Sequence, residues 1–241
     1  MSTIDQTPPT SRPARFDMYG PIHKALRHTL AGLLSSLGAT SFASAEAPQA
    51  LMDELEAALV FSERHIEHED AFIRGPLLER APTAVPSLDA AHLEHERLVA
   101  EIRGLARAVQ TSSAAARPAL ARALYLQVGA FVADTLVHMN EEERVVQPLL
   151  ERLFTDEELL EMHGKIIASI SPGEMLEVTR RMIPAVSLEE RVAILAGARA
   201  SAPPEAFAAV AEVARTSLRP DQWREVAVRL GIADATAAAA A

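Results

Sequence analysis

The sequence predicts an all-α protein: an up-and-down four-helix bundle followed by a C-terminal appendage of shorter helices. Three observations carry this. Of the 241 residues, 49% are apolar but only 4% are aromatic, and alanine and leucine dominate over the β-branched and aromatic residues that strands favour. Four long stretches place apolar residues at alternating spacings of three and four, which traces one face of a helix. Short clusters of proline, glycine and serine separate those stretches.

The elements follow in order. The polar, proline-rich start, MSTIDQTPPTSRPAR, has no apolar stretch that could form the centre of a secretory signal, and residues 1–18 are expected to be a disordered lead-in. The bundle should occupy 19–153. Its first helix runs from Pro21 to Leu37, with proline where a missing amide costs least and Gly38 just past the end. The second runs from Pro48 to Phe72 and breaks at Arg74, Gly75 and Pro76; the third spans Ser87 to Gln110. The fourth runs from Pro118 to Arg152 and should kink at Pro148. From 154 to 232 the texture changes to shorter helices. Thr155 with Glu158, Ser171 with Glu174 and Ser187 with Glu190 each read as a capping box, and Pro204 and Pro220 open two more helices. The alanine-rich stretch 233–241 has little to bury and is read as a disordered tail.

Composition also excludes. A net charge of -10 without a concentrated basic patch argues against nucleic-acid binding. With no cysteine, disulfides, thiolate zinc sites and cysteine nucleophiles are ruled out. No run reaches the roughly 20 apolar residues that cross a bilayer, because Gln127 and Asp134 interrupt Ala123–Val137. The expectation is a soluble, cytoplasmic protein without a membrane partner.

The chemistry lies where the histidines fall. On the fourth helix the inner-face walk reads Leu120, Leu124, Val128, Phe131, Thr135, His138, Glu142, Val145, Leu149. On the second it reads Leu51, Leu55, Ala58, Ser62, His65, Glu69, Phe72. The first helix brings His23 onto the leucine face, and the third brings His92 and His95 onto the face of Leu88, Val99 and Ile102. Buried polar groups without partners cost roughly 1–3 kcal/mol each, so something must compensate. Imidazole and carboxylate suit iron, zinc and manganese, carboxylates bridge two such ions, and bundle cores hold paired metals on inward-facing side chains. The candidate ligands are His23, His65, Glu69, one or both of His92 and His95, His138 and Glu142, with Glu69 and Glu142 as bridges. The pair His65/Glu69 is followed by PLLE at 76–79 and the pair His138/Glu142 by PLLE at 148–151, a pseudo-repeat one residue out of step.

These residues carry a resemblance. IHKALR around His23, HIEHED around His65 and Glu69, HLEHERL around His92 and His95, and HMNEEE with QPLL around His138 and Glu142 resemble, over about 20–153, the hemerythrin family and its bacterial HHE cation-binding branch. The resemblance implies two non-haem iron ions that bind a small diatomic molecule or peroxide: oxygen, nitric oxide or hydrogen peroxide. Two departures set the chain apart from reversible oxygen carriers. Its third-helix histidines lie three apart where carriers have HxxxH, and its fourth helix has HxxxE where they have HxxxxD. His95 fits the bacterial pattern, with His92 as a second ligand or a neighbour of the ligands.

Other polar residues have plainer readings. His28 lies about 140° round from His23 and reads as surface, His68 as solvated or beside the ligands, and His163 as structural. Glu67, Asp70, Glu141 and Glu143 read as an acidic rim, one of which could orient a ligand imidazole through its second nitrogen. Tyr19 and Tyr125 line the pocket or simply pack. Two other functions compete: a di-iron oxidase or peroxidase on the same site, and a metal-free helical interaction module in which the C-terminal helices meet a protein partner or a second copy.

Overall fold

The computed structural model describes residues 15–43 and 48–232, so the tail expected at 233–241 and most of the expected lead-in lie outside the described residues. The described chain is helical, with no strand among those residues. The bundle is built from α1 (Gly20–Ala39), α2 (Gln49–Phe72), α4 (Val85–Thr111) and α5 (Arg117–Glu141). A short helix α3 (Arg74–Arg80) and a 3-10 turn at Pro82–Ala84 link α2 to α4. Helix α1 packs on α2, α2 on α4, α4 on α5 and α5 back on α1. With short connections that order gives the up-and-down square expected of a bundle.

The fourth helix departs from its expected course. Just before Pro148, where a kink is expected, it widens into a π turn at Glu142–Val146, where the Gln147 N–H reaches back to the Glu142 carbonyl, and continues as α6 (Gln147–Leu153). Pro148 has no N–H to give and its ring crowds the carbonyl one turn before it; a single wide turn relieves both. The whole run Arg117–Leu153 is long and apolar enough to cross a membrane by length and composition. This corrects the reading in which Gln127 and Asp134 interrupt it. Its inner face is nonetheless spent on the bundle, through Leu124, Val128, Phe131, His138 and Glu142, all buried.

Two apolar clusters fill the bundle and leave a polar layer between them. One contains Leu30, Leu33, Leu55, Leu59, Val99, Ile102, Leu124, Val128 and Phe131. The other, at the opposite end, contains Tyr19, Ile73, Leu77, Leu88, Val146, Leu150 and Leu159. The end of the lead-in belongs to this second cluster: Met18 is buried, and Arg15 ties to Asp156 at 2.6 Å and to the Phe154 carbonyl at 2.7 Å.

The C-terminal region forms α7 (Asp156–Ser169), α8 (Pro172–Ala185), α9 (Leu188–Ser201), α10 (Pro204–Ser217) and α11 (Pro220–Leu230). Thr155 and Ser187 close full capping boxes with Glu158 and Glu190. Ser171 makes only half of one: its hydroxyl accepts from the Glu174 N–H, while the Glu174 carboxylate does not return to the Ser171 amide. Gly231 ends α11 at φ 64°, the left-handed conformation that glycine adopts without a Cβ clash. A separate core around Ile183, Leu195, Ala214, Trp223 and Val226 holds these helices together. Helix α8 joins them to the bundle, setting Val178, Met182 and Ala185 against Ala25, Leu26, Phe61 and Met139.

Candidate metal centre

Four helices deliver side chains into the polar layer. His23 enters from the first turn of α1, His65 and Glu69 from successive turns of α2, His92 from α4, His138 from the end of α5 and Glu142 from the start of the π turn. Their ligand atoms fall into two groups, His23/His65/Glu69/Glu142 and Glu69/His92/His138/Glu142, each within 4.8 Å across. The two carboxylates belong to both. Glu69 turns Oε1 toward His65 Nε2 (3.2 Å) and Oε2 toward His92 Nε2 (3.5 Å). Glu142 turns Oε2 toward His23 Nε2 (3.3 Å) and Oε1 toward His138 Nε2 (3.4 Å). Each group therefore has two imidazole nitrogens and one oxygen from each shared carboxylate.

The residues fit a pair of cations. Both Glu69 oxygens, Glu142 Oε2, His92 Nε2 and both nitrogens of His138 are buried without a hydrogen-bond partner. At roughly 1–3 kcal/mol per orphaned group, that cluster is costly unless ions take the lone pairs. His23 Nε2 and His65 Nε2 also face each other at 3.1 Å. His23 gives its Nδ1–H to Glu143 at 2.9 Å, which leaves a lone pair, not a proton, on the inward Nε2 of the neutral ring.

Outer carboxylates complete the arrangement. Glu143 also takes Arg27 at 2.5 Å, and Arg27 reaches the Asn140 side-chain oxygen at 3.2 Å. On the other side His92 Nδ1 lies 2.9 Å from Asp70 Oδ1. A common pattern emerges. Consecutive acids, Glu69–Asp70 on α2 and Glu142–Glu143 at the π turn, each bracket both nitrogens of one imidazole borne by a helix of the other hairpin. This is the pseudo-repeat of the sequence in three dimensions, and the π turn falls in the half whose spacing to PLLE differs by one residue.

The electrostatics follow from burial. Burial and the neighbouring imidazoles hold His65 well below the usual histidine range and His138 down at about 3. Burial would lower His92 too, but the charge of Glu69 3.5 Å away, with Asp70 hydrogen-bonded behind, outweighs it and raises it to about 9. Burial, with the charge of Glu69, lifts Glu142 to about 8, and burial raises Glu69. Tyr19, fully buried, is raised by burial and by the same two carboxylates, and its ring lies 5.1 Å from that of His23. It sits over the centre, whereas Tyr125 is 37% exposed and packs near Gly38.

Of the residues singled out in the sequence, His23, His65, Glu69, His92, His138 and Glu142 come together. His95 stands outside both groups. It is buried toward the apolar cluster, with Nε2 3.2 Å from the Ser62 hydroxyl and its ring 4.7 Å from Phe131. Asp70 and Glu143, read as rim, are the imidazole partners, while Glu67 pairs outward with Arg64. His163 meets Phe16 and His68 meets Phe72, both away from the centre. Arg27 carried no signal beyond lying one turn after His23.

A helical bundle presenting two His/Glu groups around shared carboxylates defines a cation-binding protein. The hemerythrin HHE cation-binding domain matches residues 17–150, and the chain belongs to that family. Curated relatives include F-box/LRR-repeat protein 5 from Mus musculus, 28% identical over 184 residues (76% of this chain, 26% of the relative). The same protein from Bos taurus is 28% identical over 156 residues (65% and 22%), and that from Salmo salar 26% over 176 residues (73% and 25%). The chain thus spans about a quarter of the length of these relatives. No solved structure matches it significantly.

Proposed function

We propose that the chain holds two iron ions and binds or senses a small molecule, oxygen, nitric oxide or hydrogen peroxide, at that pair. The observation that carries this reading is the division of the Glu69 and Glu142 oxygens between two histidine groups. When bound, iron supplies the redox chemistry and affinity for such ligands. The chain's own residues do the rest. His23, His65, His92 and His138 supply neutral nitrogen donors, Glu69 and Glu142 supply shared negative charge, and Asp70 and Glu143 hold two of the rings by their outer nitrogens. Two imidazoles and two carboxylate oxygens for each ion would leave room for an incoming ligand. The apolar clusters above and below exclude bulk water, where a reactive ligand would otherwise be quenched.

The test is elemental analysis of protein purified without a histidine tag, with a visible spectrum in air and after anaerobic reduction. One iron for each His/Glu group, with near-ultraviolet bands that bleach on reduction, is the expected result. No bound metal even after anaerobic ferrous reconstitution would overturn the reading and leave the buried histidines structural.

A further inference from the structure

The inner donor sets of the two groups are matched, so any difference in how they hold a cation must come from outside them. The outer charges are not matched. Glu143, behind His23, is neutralised by Arg27 at 2.5 Å. Asp70, behind His92, has no such partner among the described residues. The cation nearest it in sequence, Arg74, feels the Asp70 charge but is held by both oxygens of Asp89 at 2.6 and 2.7 Å, so the three groups together keep one net negative charge. Among the described residues the Asp70 carboxylate hydrogen-bonds to His92 alone. The outer charge is therefore close to zero behind the His23/His65 group and close to one negative charge behind the His92/His138 group.

We propose that the two cation positions are inequivalent, and that the His92/His138 position is the tighter one and fills first because Asp70 stands behind it with its neighbouring cation already held by Asp89. This rests on the metal-binding reading above. A carboxylate hydrogen-bonded to the far nitrogen of an imidazole makes that ring a stronger donor, an effect typically worth 10–100-fold in metal affinity. An arginine shared by the same carboxylate withdraws part of it. Asp70 is 43% exposed, so solvent screens its charge and the lower end of that range applies. In the second group Arg27 rigidifies Glu143 and weakens its charge.

The experiment uses zinc, which is redox-inert, titrated into the full metal-free chain and followed by calorimetry and by competition with a chromophoric chelator. The expected isotherm has two steps about tenfold or more apart. Asp70→Asn should narrow the gap by loosening the tight step, and Arg27→Gln should narrow it by tightening the weak one. Glu143→Gln should widen it. His138→Ala should remove the tight step and leave the weak one, with circular dichroism confirming the fold. Two equal steps in the parent chain would overturn the proposal, as would an unchanged gap in Asp70→Asn or a loss of the weak step in His138→Ala. No zinc uptake at all would instead overturn the metal reading on which it rests.

Discussion

His92 and His95 show how much one residue's depth in the bundle decides. Both lie on the inner face of α4 and both are buried, yet His92 Nε2 meets Glu69 while His95 meets Ser62 and Phe131. Replacing His92 by alanine removes a donor from one group and should cost one metal ion per chain. Replacing His95 by alanine should leave metal content unchanged and lower stability by about 2–3 kcal/mol, the scale of a buried cavity with an orphaned hydroxyl. Elemental analysis and chemical denaturation separate the two. An ion lost from His95→Ala and kept in His92→Ala would reverse the assignment. The sequence places both histidines on the core face because their three-residue spacing turns them only about 60° apart. Which one stands level with Glu69 depends on how far α4 is slid against α2, and no residue pattern encodes that. Asp70 and Glu143 were hidden for a related reason. Each follows an inward glutamate by about 100° and so reads as surface, until a ring from the facing helix reaches out to it.

At the scale of elements, the helices of the bundle were legible nearly to their ends, because an apolar face with proline at the start leaves little choice of register. The π turn was not. Pro148 announces a disturbance, but the chain resolves it one turn earlier, where widening also brings Glu142 and Glu143 to the two nitrogens of His23. The docking of α8 was equally silent in sequence, since Val178 and Met182 could face any apolar surface. Its anchor is Arg181, largely buried, which bonds Glu177 at 2.7 Å and Glu54 at 2.9 Å and lies 5.6 Å over the Phe61 ring. Because Glu54 and Glu177 are themselves half exposed, they rehydrate when Arg181 is lost, and the pairing itself contributes little. Most of the effect of Arg181→Ala is then lost packing of the arginine stem on Phe61. The expected cost is about 1–2 kcal/mol. It should appear in urea denaturation as earlier release of the C-terminal helices, with metal content retained. A loss of metal in this variant would mean that α8 shapes the centre rather than merely resting on the outside of α1 and α2.

Over the whole molecule, the cost of an empty polar layer should be visible as a dependence on pH. In the metal-free chain His138 is depressed to about 3, so its contribution is present above the unfolded value of 6.5 and is lost as pH falls through about 3. Glu142 and His92 run the other way. Raised to about 8 and about 9, they contribute stability that is full below their unfolded values of 4.5 and 6.5 and is lost as pH rises through 8 and 9. The metal-free chain should therefore weaken from about pH 6.5, where the His138 contribution is complete, to pH 9, as the buried Glu142 carboxyl is forced to ionise and His92 loses its proton. Cations reverse this second loss, because ionised Glu142 and neutral His92 are the forms that bind them. Saturation at a hundred times the dissociation constant adds about 2.7 kcal/mol per site. The difference in melting temperature between loaded and metal-free protein should consequently widen from pH 6.5 to pH 9, and proton release on loading should be measurable in buffers of different ionisation enthalpy. A difference that stayed constant or shrank over that window would show that His92 and Glu142 are not the groups that give up protons to the metal.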